Sequence, residues 1–396
     1  MRIFFVCQRV PYPPDRGDKI TTYNEIRHLA RRHEVHVFCL ADGRDDLANV
    51  AGLSDCTAAV TAVPVGYGQS RARALLALFG ASALSVAMLR EQALHAAIRR
   101  AADAHPPDLV FVYSSNVAQY AESLANHPRI MQFADLDSIK WRDYAQRAAW
   151  PARWLYALEA RRLLAYERRI AGEFSHSLIC TESEAADFRA LIPDAPVSVV
   201  RNGVDLDYFR SGGAAKRRGA MVFTGVMDYR PNVDAVCWFC DTMLPLIRAE
   251  RPDATFTICG SRPARDVQRL ALLPGVTVTG RVPDVRPYLD AAEVFVAPLR
   301  LARGIQNKLL EAMAMGLPVV TSPVAWRGTE IPSGEGIVAA EQPQDVAAAV
   351  LRLLQDDSYR HDMARRARSV VEGRYAWPAQ LAAFDAVIAT AAGHRT

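Results

Sequence analysis

The chain has 396 residues, 51% of them apolar, and a formal net charge of +4. Its pI is about 8.7 and its mean hydropathy −0.01. The length exceeds one typical domain, the composition is that of a soluble globular protein, and so mild a positive charge does not argue for nucleic acid without a concentrated patch.

Met1-Arg2 runs directly into residues 3–7, an apolar first strand without a small-residue cleavage site, so no secretory signal is expected. A proline-rich loop (residues 11–14) leads to Asp15-Arg16-Gly17-Asp18-Lys19. A helix with Ile20, Tyr23, Ile26 and Leu29 follows, then a strand over 35–40. This strand–loop–helix–strand order opens a doubly wound α/β domain. Gly17 stands alone, without a GxGxxG fingerprint, which disfavours a nicotinamide dehydrogenase. It still lies at the carboxyl end of the first strand, where such sheets take ligands.

The longest uncharged apolar run, 74–89, contains Gly80, Ser82 and Ser85. It falls short of the ~20 residues that span a bilayer, so a buried or interfacial helix is expected. Seven scattered cysteines suit buried thiols in a reducing, cytoplasmic compartment. Cys237-Trp238-Phe239-Cys240 has no partner Cys/His pair, so it reads as core packing.

Strands are expected over 109–113, 130–133, 178–180 and 197–200. Residues 139–169 hold eight basic side chains against Asp143, Glu159 and Glu167, interleaved with Trp141, Tyr144, Trp150, Trp154, Tyr156 and Tyr166. Such a stretch suits a peripheral contact with an anionic membrane, or long helices whose aromatics pack on their own domain. The segment 211–219 has linker composition. The strand–helix series then restarts with strands over 221–224, 255–259, 276–279, 294–297, 318–321 and 336–338. Helices are expected over 234–248, 285–292 and 343–354, with a last one from Trp377 to about 391.

One stretch concentrates the chemistry. A loop enters a short helix at Gly304, Gly316 ends that helix, and Pro318 blocks its continuation. The free N–H groups at its start suit a phosphate. Lys308 and Glu311, three apart, share a face: a cation for phosphate, a carboxylate for ribose hydroxyls, or else an ordinary surface ion pair.

The chain resembles the retaining nucleotide-sugar transferases of glycosyltransferase family 4. Arg201-Asn202-Gly203-Val204-Asp205 with Phe209, Gly280-Arg281-Val282-Pro283-Asp284, residues 308–320 and the first loop with Gly17 carry the likeness, in order and across nearly the whole chain. Gln132-Phe133-Ala134-Asp135-Leu136-Asp137-Ser138 with Trp141, and Arg303-Gly304-Ile305-Gln306-Asn307-Lys308, resemble a narrower PEP-CTERM/exosortase-associated subgroup.

The resemblance implies an α/β GT-B fold, two Rossmann-like doubly wound domains facing across a cleft. Residues 1–210 would bind acceptor, residues 211–376 would bind the nucleotide-sugar, and the helix 377–396 would return to the first domain. It implies a hexosyltransferase using a UDP- or GDP-sugar, with no cofactor, no metal and no nucleic acid. The acceptor would be a glycan or polyprenyl-linked, in exopolysaccharide synthesis at the inner face of the plasma membrane. Donor contacts are expected from Gly17, Gly225, Arg230, Gly260, Ser261, Arg281, Val282, Arg303, Gly304, Ile305, Gln306, Asn307, Lys308, Leu310 and Glu311. Asp18 and Lys19 fall on the acceptor side, and Asp135 and Asp137 near the reaction centre, or as strand-end carboxylates capping a helix.

The chain also departs from the family pattern. Arg303 stands where the family has a glutamate, eight residues before Glu311. Val226 and Pro231-Asn232 stand about where it has a diphosphate-clamping Arg and Lys. Arg303 and Lys308, with Arg230 third, would replace that clamp; alternatively Arg303 meets a carboxylate on the donor sugar. Two rival readings are a nucleotide-sugar epimerase of the same fold and a non-catalytic transferase-like partner.

Overall fold

The structure, a computed structural model, describes residues 1–393. The chain divides into two compact units, Met1–Arg201 with the segment from Leu381 onward, and Asn202–Gln380.

The first unit is built on seven parallel strands: β1 (Arg2–Cys7), β2 (Glu34–Ala41), β3 (Ala59–Pro64), β4 (Leu109–Tyr113), β5 (Arg129–Ala134), β6 (His176–Ile179) and β7 (Val197–Val199). Their order is β3-β2-β1-β4-β5-β6-β7. Parallel sheets are covered on both faces, which is why β1 and β4 are near-continuous apolar runs. The edge strand β3 was not anticipated, since its residues are only half-buried. The order reverses between β1 and β4, the switch point at which such sheets take ligands. Phe384 packs edge-on to Phe111 at 5.2 Å, and Asp385 meets His28 at 2.8 Å, which fixes the last helix on this unit.

The second unit holds six parallel strands: β8 (Ala220–Thr224), β9 (Thr255–Cys259), β10 (Val276–Gly280), β11 (Val294–Ala297), β12 (Val319–Thr321) and β13 (Ile337–Ala339). Their order is β10-β9-β8-β11-β12-β13, so its switch point lies between β8 and β11.

Several expectations are corrected. The first unit ends at Arg201, short of 210, because the segment after it bonds into the second. Val204 N–H donates to Tyr375 O at 2.8 Å, and Arg368 donates to Phe209 O at 2.8 Å. Gly203 is required there, since a Cβ would lie 2.5 Å from the Trp377 ring. The helix expected over 234–248 is Arg230–Trp238, a wider π turn at Phe239–Met243, and Leu244–Glu250. Pro245 has no N–H for the preceding turn, which accounts for the widening. Helix Asp357–Arg374 was not anticipated.

The apolar run 74–89 is not one helix. Helix Tyr67–Leu78 stops, and a second, Leu84–Met88, follows a turn. Arg162 satisfies the freed carbonyls, donating to Ala77 O (2.8 Å), Leu78 O (3.1 Å), Ser82 O (3.3 Å) and Gly80 O. The aromatic stretch 139–169 divides likewise. Trp141 packs edge-on to Tyr144 and tilted against Tyr156, whereas Trp150 and Trp154 are 83% and 58% exposed.

Candidate active site

The second unit gathers its chemistry at the carboxyl ends of β8 and β9. Gly225 and Gly260 follow these strands back to back. A Cβ on Gly260 would sit 1.6 Å from Gly225 O, and a Cβ on Gly225 would sit 2.7 Å from Asn232 Nδ2 and 3.1 Å from Lys308 Nζ. The loops are tied by Gly225 N–H to Cys259 O (3.1 Å) and Met227 N–H to Ser261 O (2.8 Å). Gly260→Ala is therefore expected to destabilise the second unit by about 1–3 kcal/mol, as overpacking does. A denaturant midpoint equal to wild type would refute the close approach.

Lys308 reaches this place from the helix Asn307–Ala314, which follows β11 across the switch point. Leu309, Leu310, Ala312 and Met313 are its buried face. Gly316 (φ 68°) ends it, with Gly316 N–H on Met313 O (2.9 Å) and Leu317 N–H on Ala312 O (3.0 Å), a Schellman stop. Lys308 Nζ donates to Asn232 Oδ1 at 2.5 Å and lies 4.5 Å from the Phe223 ring centre. The other end of the Asn232 amide donates to Val226 O at 2.8 Å, which turns its oxygen towards the lysine.

Lys308 and Glu311 keep some surface open, but protein surrounds both. Burial pushes the lysine down to about 7, and Glu311 partly offsets it. Burial pushes Glu311 up to about 7, and Lys308 partly offsets that. Both side chains are half-buried, so the pair is not an ordinary exposed ion pair.

The neighbouring residues divide. Asn307 Oδ1 accepts from Asn202 at 3.1 Å, while its Nδ2 is buried with no hydrogen-bond partner. Gln306 Nε2 donates to Arg303 O at 2.8 Å, and Gly304 holds φ 60° at the loop's turn. Ile305 is 9% exposed, and Leu310 is fully buried. The expectation that Leu310 contacts the donor is corrected for its side chain, which packs in the core. Arg230 and Arg281 are exposed, and Val282 is half-buried. Asp284 of the same motif chelates Arg286 (2.8–3.0 Å), and that guanidinium lies 3.9 Å from the Tyr208 ring centre.

In the first unit, Gly17 starts the helix Gly17–Leu29 after β1. Asp18 is gripped by Arg9 at 2.5 Å; burial alone would raise it, yet Arg9 and Arg16 hold it below the usual carboxylate range. Lys19 does not stand free on the acceptor side: it is 6% exposed and pairs with Asp46 at 3.0 Å. β5 ends with Ala134 at φ 63°, a left-handed residue that is not glycine, and Asp135 follows it, half-buried. Such backbone costs about 1–3 kcal/mol and clusters at functional sites. Asp137 caps no helix. One oxygen accepts from Asn116 at 3.0 Å and the other meets Lys140, so it is poorly placed to take a proton.

Two acids there escaped the sequence reading. Glu167 is fully buried and accepts from Ser138 N–H at 3.1 Å and from the Ser138 hydroxyl. Burial raises it to about 8 against the Ser138 bonds. Glu25, 1% exposed, is raised to about 8 by burial, opposed by a bond from Gln132.

Two parallel-sheet Rossmann-like units, one with a cation and paired glycines at its switch point, define the GT-B class of fold. Residues 19–203 match the family model "Glycosyl transferase 4-like domain", and residues 218–356 match "Glycosyl transferases group 1". The chain belongs to these glycosyltransferases and is an enzyme of that class. It is 26% identical over 286 residues to the glycogen synthase of Mycobacterium tuberculosis, a match spanning 68% of this chain and 66% of that one. Its fold resembles sucrose-phosphate synthase from Thermosynechococcus elongatus, with TM-score 0.75, 16% identity and coverage of 98% and 99% of the two chains. It also resembles HepE of Anabaena in complex with UDP-glucose, with TM-score 0.70, 15% identity and coverage of 98% and 100%.

Proposed function

We propose that the enzyme is a hexosyltransferase that moves a sugar, with retention and without a metal, from a uridine or guanosine diphosphate-sugar. The acceptor is a glycan or a polyprenyl-linked glycan of a growing cell-surface polysaccharide. The supporting observation is the half-buried Lys308 held by Asn232 beside Gly225, at the second unit's switch point. UDP-glucose on the structurally similar HepE favours uridine.

In this reading the sugar–phosphate bond breaks as the acceptor hydroxyl bonds the anomeric carbon on the same face. The departing phosphate oxygen takes the hydroxyl proton. Lys308, Arg303 and the helix N-terminus take up the leaving diphosphate's charge. Glu311 accepts from the ribose hydroxyls, and Asp135 orients the acceptor. The motifs at 132–138 and 303–308 support the exopolysaccharide subgroup. Among the described residues no helix is long and apolar enough to cross a membrane. Exposed Trp150, Trp154 and Phe79 (93%) beside basic residues support peripheral contact at the inner membrane face.

A calorimetric screen of UDP, GDP and their sugars tests the donor assignment. Wild type is expected to bind one nucleoside family, and Glu311→Gln to weaken it about tenfold or more, since the ribose loses a charged acceptor. If wild type binds none of them, the reading falls.

A further inference from the structure

In the second unit, the loop that carries Gly304 is braced by the segment that follows β12. Thr321 Oγ1 donates to Ala297 O at 2.7 Å, and the Ser322 hydroxyl donates to Leu299 O. Two hydroxyls at the end of β12 thus tie down the start of the loop that leaves β11. Ser322 also caps the short helix Pro323–Arg327, accepting from Ala325 N–H at 3.4 Å. That helix stops at Gly328, where the two segments meet: a Cβ on Gly328 would lie 2.2 Å from Gly304 O. Gly328 has ordinary right-handed backbone (φ −67°, ψ −17°), so the close approach, not conformational freedom, is what requires a glycine there.

The turn after Gly328 is buried and fully bonded. Thr329 is 0% exposed; its hydroxyl donates to Trp326 O at 2.7 Å and accepts from Ile331 N–H at 3.3 Å. Its carbonyl accepts from the hydroxyl of Tyr375, which is itself buried. The Trp326 indole donates to Ile331 O at 2.7 Å. A close-packed turn of this kind does not yield to a neighbour, so it sets where the Gly304 carbonyl sits. In a planar trans peptide the N–H points opposite to the C=O. Gly304 O against Gly328 therefore turns Ile305 N–H to the other side of the loop, and among the described residues no carbonyl accepts from it. Ile305 lies two residues before the helix Asn307–Ala314 that carries Lys308. We propose that Gly328, backed by Tyr375, is a positioning residue that aims Ile305 N–H at the diphosphate of the donor. The proposal rests on reading this loop and helix as the donor site.

Direct binding to the full chain tests it, with UDP, GDP, uridine and guanosine as separate ligands. Gly328→Ala is expected to weaken binding of the diphosphate about tenfold, the loss of one hydrogen bond to a charged group, and to leave affinity for the matching nucleoside unchanged. Tyr375→Phe keeps the ring and removes the hydroxyl that backs Gly328, so it is expected to weaken the diphosphate selectively too, by about threefold. Gly219→Ala, a strained substitution (φ 74°) at the amino end of β8, is expected to lower the denaturant midpoint and leave both affinities unchanged. Wild type that binds neither UDP nor GDP overturns the donor reading and this proposal with it. Wild type that binds one of them, with unchanged diphosphate affinity in Gly328→Ala, overturns this proposal alone. Equal losses for diphosphate and nucleoside, or the same loss in Gly219→Ala, would make the effect general to the unit and overturn it as well. Should Gly328→Ala not fold, Tyr375→Phe decides by the same criteria.

Discussion

Lys308→Met is expected to lower kcat for sugar transfer by about 10²–10³, the scale seen when one preorganised transition-state donor is removed. Methionine keeps most of the side chain's volume, so the loss reports charge. Phe223 and Asn232 hold the ammonium in place before any ligand arrives, and preorganisation of that kind costs no rearrangement during reaction. Burial has already driven its pKa down to about 7. A bound diphosphate restores the charged form, so the Lys308 contribution to donor affinity falls as pH rises above 7; Lys308→Met is expected to lose that fall and keep only the opposite trend from Glu311, which ionises in the same range. Arg303→Ala, measured in parallel, shows whether the second cation shares the load. If both variants keep normal kcat and donor affinity, the clamp does not lie on this helix.

The helix Asn307–Ala314 was legible because its signals are local. Its apolar positions recur at helical spacing, and Gly316 with Pro318 stops it. The partner of Lys308 was not legible, because Asn232 is 76 residues away and reads as a helix-start residue replacing an expected lysine. The two units were legible from the restart of the strand–helix series, but their boundary was not. Residues 211–219 look like a linker, whereas the hand-over occurs earlier, where Gly203 closes on Trp377. In the first unit the resemblance pointed to Asp135 and Asp137. Only geometry shows that Lys140 and Asn116 occupy Asp137. Glu167 was counted as one of three acids diluting a basic stretch, because nothing in a solvated-looking helix marks one position as buried.

Stability of the first unit is expected to fall as pH rises from 5 to 8, and Glu25→Gln and Glu167→Gln are each expected to flatten that slope. Both carboxyls have folded-state values near 8 against an ordinary 4.5, because burial penalises the anion. A raised acid means that folding takes up a proton. The stabilisation is therefore complete below about 4.5 and is lost as pH climbs to about 8. Glu25 exposes the mechanism more cleanly, because its Oε2 is buried without a partner and the neutral acid or an amide suits that place better than a carboxylate. Glutamine is thus expected to raise the denaturant midpoint at pH 8 and leave it nearly unchanged at pH 5. Asp18 works the other way, since Arg9 lowers it and its contribution disappears only in acid. Denaturation at pH 5, 6.5 and 8, followed by a probe in the first unit, reads the direction set by Glu25 and Glu167, and a further point near pH ~3 reads that of Asp18. A Glu25→Gln profile parallel to wild type would mean that the carboxyl titrates as an exposed one does and that the helix Gly17–Leu29 does not bury it.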